Sequence, residues 1–278
     1  MTIFDLIHQE AVPGDEGKID YLAPKVHPSS IPGEMETVFL EVDWIPFNTV
    51  LKQKDSKVTS AQELELAAVG VYMDSLVRGK LMEELREDNI KAIYSRMKLL
   101  GYQNPTIKSI RFTKLKALIT RLTGYRFGKV FKKTEDISKH IMRNSNLGFS
   151  LTKMGAYNYI IVNAKIGSVL LDSASMDINQ SPTTTFSTIH RIGTLHGNIS
   201  VFVNSYQSWE DNTIVYGHKN VNKGPGIYYI KSGESFENVN NPDQSKTYRS
   251  IEKSIILNTP NSEKYFLSEE IQLHKKLI

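Results

Sequence analysis

The chain has 278 residues, 40% hydrophobic and 23% charged, which is the balance of an ordinary globular protein and too apolar for a disordered one. No apolar run reaches the ~20 residues that span a bilayer, and residues 1–10 lack the basic start and apolar stretch of a signal peptide. There is no cysteine, which excludes disulfides, Cys-ligated zinc, iron–sulfur clusters and thiol catalysis, and the formal net charge is only +4.

Five of the ten prolines, Pro13, Pro24, Pro28, Pro32 and Pro46, fall in the first 46 residues. Proline fixes its own φ and pushes the preceding residue toward extended geometry, so residues 11–33 read as an extended arm or loop and not a helix. With few large apolar side chains, such an arm either stays in solvent or lies along something else. In residues 36–51, Val38, Leu40, Val42 and Trp44 alternate with Phe39, Glu41 and Asp43, the period of a half-buried strand. Pro46 ends that strand or marks it as an edge. Thr59 or Ser60 can then cap a helix, with Glu63 at capping-box spacing from Ser60. Leu66, Val69, Met73, Leu76, Val77 and Leu81 recur at helical spacing, followed by a rotated second set, Ile90, Ile93, Met97 and Leu100. As one helix, residues 59–100 would be roughly 63 Å long at 1.5 Å per residue, too long for a compact ball. Gly70 and Gly79 are candidate bends, and Gly101 is a natural stop.

Residues 96–134 hold eleven Lys or Arg and no Asp or Glu. They carry +11, so the rest of the chain carries −7. Interleaved Ile107, Ile110, Phe112, Leu115, Leu118, Ile119 and Leu122 predict a structured segment, and residues 134–144 a short helix. From Gly155 the pattern becomes β with short helices: strands over 157–162, 199–203, 213–218 and 226–231, and a helix over 165–172. Residues 222–226 form a tight loop, 231–245 read as polar loop, and 254–257 and 265–267 as short strands.

Catalytic motifs are scarce. Residues 124–129 (GYRFGK) have three residues between the glycines where a phosphate loop has four, and no Ser or Thr follows the lysine. His190 and His196, across a turn at 193–195, would have to converge with His218 to hold a metal. Glu83, Glu84, Glu87 and Asp88 lie near Lys80 and Lys91, as helix-face ion pairs do. No enzyme, cofactor or metal is expected. The basic segment has three readings: a nucleic-acid contact, a subunit interface with an acidic neighbour, or a solvated face.

Residues 199–230 (ISVFVNSYQSWEDNTIVYGHKNVNKGPGIYYI) resemble the C-terminal part of the major capsid proteins of tailed bacteriophages, of the T-even-like type. The resemblance rests on Gly197, Asn204-Ser205-Tyr206, Gly217-His218-Lys219, Gly224 and Gly226-Ile227-Tyr228-Tyr229. Residues 158–171 resemble the family's strand-then-helix, and 78–93 the end of its long helix. Lys231-Ser232-Gly233 depart from it, because the family usually has a proline and another aromatic there. The resemblance implies the α+β tailed-phage capsid fold shared with encapsulins: a long spine helix, a peripheral domain and an axial domain. On that basis residues 1–57 would be N-terminal arm and extended-loop remnant, 58–154 the peripheral domain with the spine helix, 155–232 the axial domain, and 233–278 a return to the peripheral domain. The implied function is a structural subunit that assembles with copies of itself into hexamers and pentamers of a shell. Scaffolding, portal and decoration proteins and packaged DNA would be partners, with no membrane, and assembly would occur in the host cytoplasm. Candidate interface residues are Trp44, Lys114, Lys116, Arg121, Trp209, Glu210 and Asp211. The alternatives are a basic nucleic-acid-binding protein or an encapsulin-like shell protein.

Overall fold

The computed structural model describes residues 3–27, 37–70, 72–105, 130–178, 189–219, 223–274 and 277. The helical run after Thr59 is broken in two. Helix α1 spans Ser60–Ala68 and α2 spans Met73–Gln103, separated by Gly70 at φ +76°. That left-handed conformation suits glycine and ends a helix. The cap of α1 is Thr59, which accepts from the Gln62 amide while the Gln62 side chain accepts from the Thr59 amide. Ser60 and Glu63 are used elsewhere: Ser60 donates to the Gln244 carbonyl and Glu63 pairs with Lys246.

Helix α2 is about 46 Å long at 1.5 Å per residue. Met73, Val77 and Leu81 cluster with Val58 and Tyr248. The rotated second stripe, Ile90, Ile93, Met97 and Leu100, joins a separate cluster with Phe202, Val215 and Phe266. Each end of the helix thus packs on a different sheet, as the change of stripe predicts. Gly101 is not the stop. A Cβ there would sit 2.2 Å from Ser268 Oγ and 2.6 Å from Ser268 N, so glycine is what lets the strand Phe266–Glu270 lie against the helix. The helix ends at Asn104, whose fully buried amide donates to Phe266 O (2.7 Å), Tyr157 OH (3.0 Å) and Glu263 O (3.1 Å). Gly101→Ala is expected to destabilise the chain by about 3 kcal/mol through overpacking. A urea midpoint equal to wild type would show that this close approach carries no constraint.

The first sheet has the order β1-β11-β12-β4, from β1 (His8–Ala11), β11 (Ile227–Asn240), β12 (Lys246–Asn258) and β4 (Val50–Val58). Residues 231–245, expected as loop, instead extend β11 to Asn240 and turn back into β12. Their polarity reflects exposure of both faces near the hairpin tip, which removes the apolar alternation that marks a strand. Register slips by a bulge between Lys231 and Gly233.

The second sheet has the order β13-β10-β6-β9-β8-β7. Its strands are β6 (Tyr159–Val162), β7 (Met176–Ile178), β8 (Ile189–Leu195), β9 (Ile199–Asn204), β10 (Thr213–Gly217) and β13 (Phe266–Glu270). Helices α3 (Thr134–Thr152) and α4 (Ala164–Leu171) cover one face and α2 the other. Burial from both sides explains why β6 and β10 read as unbroken apolar runs. Strand β8 occupies the supposed turn at 193–195. The actual turn is His196-Gly197, both at positive φ. His190, Arg191 and a bulge before Gly193 hide the strand's period. Of residues 233–278, the outer half of β11 and β12 stay in the first sheet, β13 adds an edge to the second, and β14 (Gln272–Leu273) pairs parallel with β5 (Val130–Phe131).

The proline-rich start is not an unattached arm. Strand β2 (Glu16–His27) pairs antiparallel with β3 (Thr37–Asn48) in a two-stranded hairpin. Pro46 lies inside β3, tolerated because among the described residues this sheet has two strands and each is an edge. The inward face of β3 is the odd-numbered one near its end. Ile45 and Phe47 are buried with Ile19, Tyr21, Tyr228 and Ile230, while Leu40, Val42 and Trp44 are exposed. No helix among the described residues is long and apolar enough to cross a membrane.

Candidate assembly surfaces

Among the described residues the hairpin is held through one face, where Ile19, Tyr21, Ile45 and Phe47 are buried, and by the Leu22 amide on Lys223 O (2.6 Å). Leu40, Val42 and Trp44 on the other face, and Phe39 further out, are exposed, with Trp44 51% exposed. The Trp44 ring is held by Lys18, whose Nζ lies 3.7 Å above its centroid, and the Trp44 amide donates to Asp43 Oδ1 (2.8 Å). At the base, Asp15 accepts from Ser232 (2.7 Å), Thr49 (3.3 Å) and Lys253 (2.5 Å). Lys253, then Ser232, hold its carboxyl below the usual range. This cluster fixes the hairpin to the bulge of β11 and to β12.

A second apolar area surrounds the break between α1 and α2. Helix α1 buries no residue, and Leu64, Val69, Leu76 and the 83%-exposed Tyr72 stand out from it and its junction. A third is the loop 205–212, which lies along α2. Asn163 Nδ2 donates to Ser208 O and Trp209 O (3.1 Å each), and Gln207 Nε2 to Asp211 O (2.7 Å) and Thr213 O (2.9 Å). Trp209 is therefore 52% exposed on a tightly bonded loop, a pre-organised contact of the kind that binds with little ordering cost. Glu210 is exposed. Asp211 is engaged internally, accepting from Lys98 (2.6 Å) and Thr213 (2.5 Å). Burial would raise its carboxyl, but Lys98 and Thr213 hold it below the usual value.

Lys114, Lys116 and Arg121, and the glycine-lysine motif at 124–129, lie outside the described residues. His190, His196 and His218 do not form one group: His190 lies on β8 opposite Val203, and the other two have separate partners. His196 Nε2 is 2.7 Å from Ser138 Oγ, and His218 Nδ1 is 2.6 Å from Ala156 O. Among the described residues no group of three or more His, Asp or Glu could hold a metal. Glu87 pairs with Lys91 (3.7 Å) as the spacing predicts, whereas Asp88 reaches across to Lys54 on β4 (2.7 Å).

One constellation has no local sequence signal. Where α2 crosses the first sheet, Glu252 Oε1 accepts from Asn89 (2.8 Å), Tyr229 OH (2.7 Å) and Ser254 (2.6 Å), and Lys52 donates to Asn89 Oδ1 (2.6 Å). Burial would raise the Glu252 carboxyl, but the Ser254, Tyr229 and Asn89 bonds hold it below the usual value. Burial also pulls the Lys52 ammonium down. The network pins the helix to the sheet at a fixed register.

A long helix carrying one sheet at each end, with a strand hairpin outside them, is the tailed-phage capsid fold. Three solved structures share it. They are a virus-like particle from Pyrococcus furiosus (TM-score 0.53, 11% identity, 97% of this chain and 92% of that one), a Mycobacterium phage Che8 structure (0.52, 13%, 95% and 85%) and the capsid of cyanophage P-SCSP1u (0.52, 10%, 99% and 88%). Residues 116–230 match the family model of the major capsid protein Gp23. Comparison with curated proteins gives no match. The fold and the family match agree with the resemblance read from the sequence, and they make the chain a structural subunit of a phage capsid shell.

Proposed function

We propose that copies of this chain close into rings of five and six that build an icosahedral shell around packaged DNA in the host cytoplasm. Scaffolding, portal and decoration proteins would meet the same subunit there. The role is structural and requires no catalytic site. The observation that carries this reading is the outer hairpin face, where Leu40, Val42 and Trp44 stay exposed on strands whose opposite face is buried against Tyr228 and Ile230. An apolar strand face of this kind gains stability only when another surface covers it. Head-to-tail contacts between unlike surfaces of one chain, hairpin against α1 or the loop 205–212, generate closed rings. The encapsulin-like alternative shares the fold, and the match over residues 116–230 favours the phage capsid.

Sedimentation and negative-stain microscopy of the expressed chain, alone and with scaffold, test this. Rings or shells are the expected result, and a monodisperse monomer under all conditions would overturn it. The same assay decides the role of the basic segment. Charge reversal of Lys114, Lys116 and Arg121 is expected to block particles while leaving DNA retention and its salt slope near wild type. Loss of DNA retention with particles intact would instead support the nucleic-acid reading.

A further inference from the structure

The first described segment binds to all three parts of the molecule. Ile3, Leu6 and Ile7 are buried in one cluster with Ile90, Ile93, Met97 and Leu100 of α2, Ile161, Phe202 and Val215 of the six-stranded sheet, and Ile227 and Tyr229 of the four-stranded sheet. Phe4 packs edge-on to Tyr229 at 5.3 Å, beneath Arg86 of α2 at 5.8 Å. Lys219, just past β10, donates to the Asp5 carbonyl. Strand β1 then runs parallel to β11 from His8↔Tyr228 to Ala11↔Lys231, and the Val12 amide donates to Lys231 O (3.0 Å). We propose that the segment Ile3–Ala11 is a strap that ties the two sheets together across α2, and that it is the first element to let go in acid.

The release point is His8. Its ring stacks on Tyr228 at 4.7 Å. The titratable groups shown to face it are Lys219 after β10 and Tyr228 on β11; Tyr228 in turn faces Tyr21 on β2 and Glu10, which pairs with Lys223 at 3.8 Å. Burial, then the charge of Lys219, pushes His8 down to about 4. The docked ring is therefore neutral between its ordinary value of 6.5 and about 4, while a released ring takes up a proton there. The released form binds more protons, so docking is at full strength above pH 6.5 and weakens as pH falls toward 4. The loss is about tenfold per pH unit, on the order of a hundredfold at pH 4.5. Strand β1 is an edge of four residues, so beyond the apolar anchor of Ile3, Leu6 and Ile7 its only ladder among the described residues is the one to β11 on which His8 sits.

Hydrogen exchange on the unassembled chain tests the release, whatever that chain later builds. Going from pH 7 to 4.5, protection factors in residues 3–12 are expected to fall at least tenfold while those of β6 and β10 hold. His8→Phe keeps an aromatic ring on Tyr228 without a titrating group, and is expected to retain protection at pH 4.5. Loss of protection in all strands together, or in His8→Phe at the same pH as wild type, would overturn the proposal. The tie itself is read separately. Since the chain has no cysteine, spin labels at Asp172→Cys and Val239→Cys report one distance between the sheets. A distance distribution that broadens at pH 4.5 in the wild-type background and stays narrow with His8→Phe supports the strap. A distribution equally narrow at both pH values, with β1 released, would show that the segment ties nothing.

Discussion

Val42→Asp combined with Trp44→Asp is expected to abolish particles at concentrations where the unsubstituted chain forms them, with the melting temperature of the unassembled chain shifted by about 5 °C or less. Both side chains are exposed and pack on no buried cluster, and surface changes of that kind stay within roughly 0.5 kcal/mol. The one local interaction lost is the Lys18–Trp44 contact, about 0.5–1 kcal/mol at an exposed site. In an interface the arithmetic differs. A Trp anchor is worth about 2 kcal/mol or more, some thirtyfold per contact. A desolvated carboxylate adds a further penalty, and every subunit of a shell repeats the contact. Sedimentation gives the result directly: shells at the wild-type concentration threshold would remove the hairpin face from the assembly surface.

The second large effect lies inside the subunit. Glu252→Leu leaves the Asn89 amide, the Tyr229 hydroxyl and the Ser254 hydroxyl without their shared acceptor, and takes from the half-buried Lys52 the stronger of its two anionic neighbours, leaving Asp88. Breaking such a buried network costs about 3–5 kcal/mol, which in a chain of this size lowers the melting temperature by on the order of 10 °C. A calorimetric shift within a degree or two of wild type would show that the sheet and α2 hold their register by apolar packing alone. The pH dependence carries a sign. Because the folded Glu252 carboxyl is held below its unfolded value of 4.5, its contribution is present above pH 4.5 and disappears as pH falls through the folded value. Glu252→Gln is therefore expected to flatten stability below pH 4.5 and leave the interval from 6.5 to 4.5, where His8 titrates, unchanged.

These two sites differ in how far the sequence reveals them. Trp44 and its neighbours stand out as an alternating strand, but alternation shows only that a strand has two faces. Which face is inward depends on Tyr228 and Ile230, about 180 positions downstream. The Glu252 network is invisible for a similar reason: Asn89 and Glu252 meet across 163 residues, and each alone looks like an ordinary polar side chain. The two stripes of α2 are legible because a rotation of 3.6-period spacing is a local property. The break at Gly70 is half legible. Glycine permits left-handed φ but does not require it, as Gly79, inside unbroken helix, shows. Strands β8 and the outer half of β11 lack a period because neither buries one clean face.

A single residue, Thr49, separates β3 from β4, and its amide is bonded to the Asp15 carbonyl (2.7 Å). A pull on the hairpin therefore has no slack loop to take up before it reaches β4 at Val50. From there the backbone ladder with β12, running from Val50↔Ser254 to Val58↔Lys246, shares the load along its length. Lys54–Asp88 and Lys52–Asn89 pass part of it on to α2. Tension between neighbouring subunits would thus be carried by the paired strands and α2, with the Asp15 cluster acting as the rivet at the point of entry.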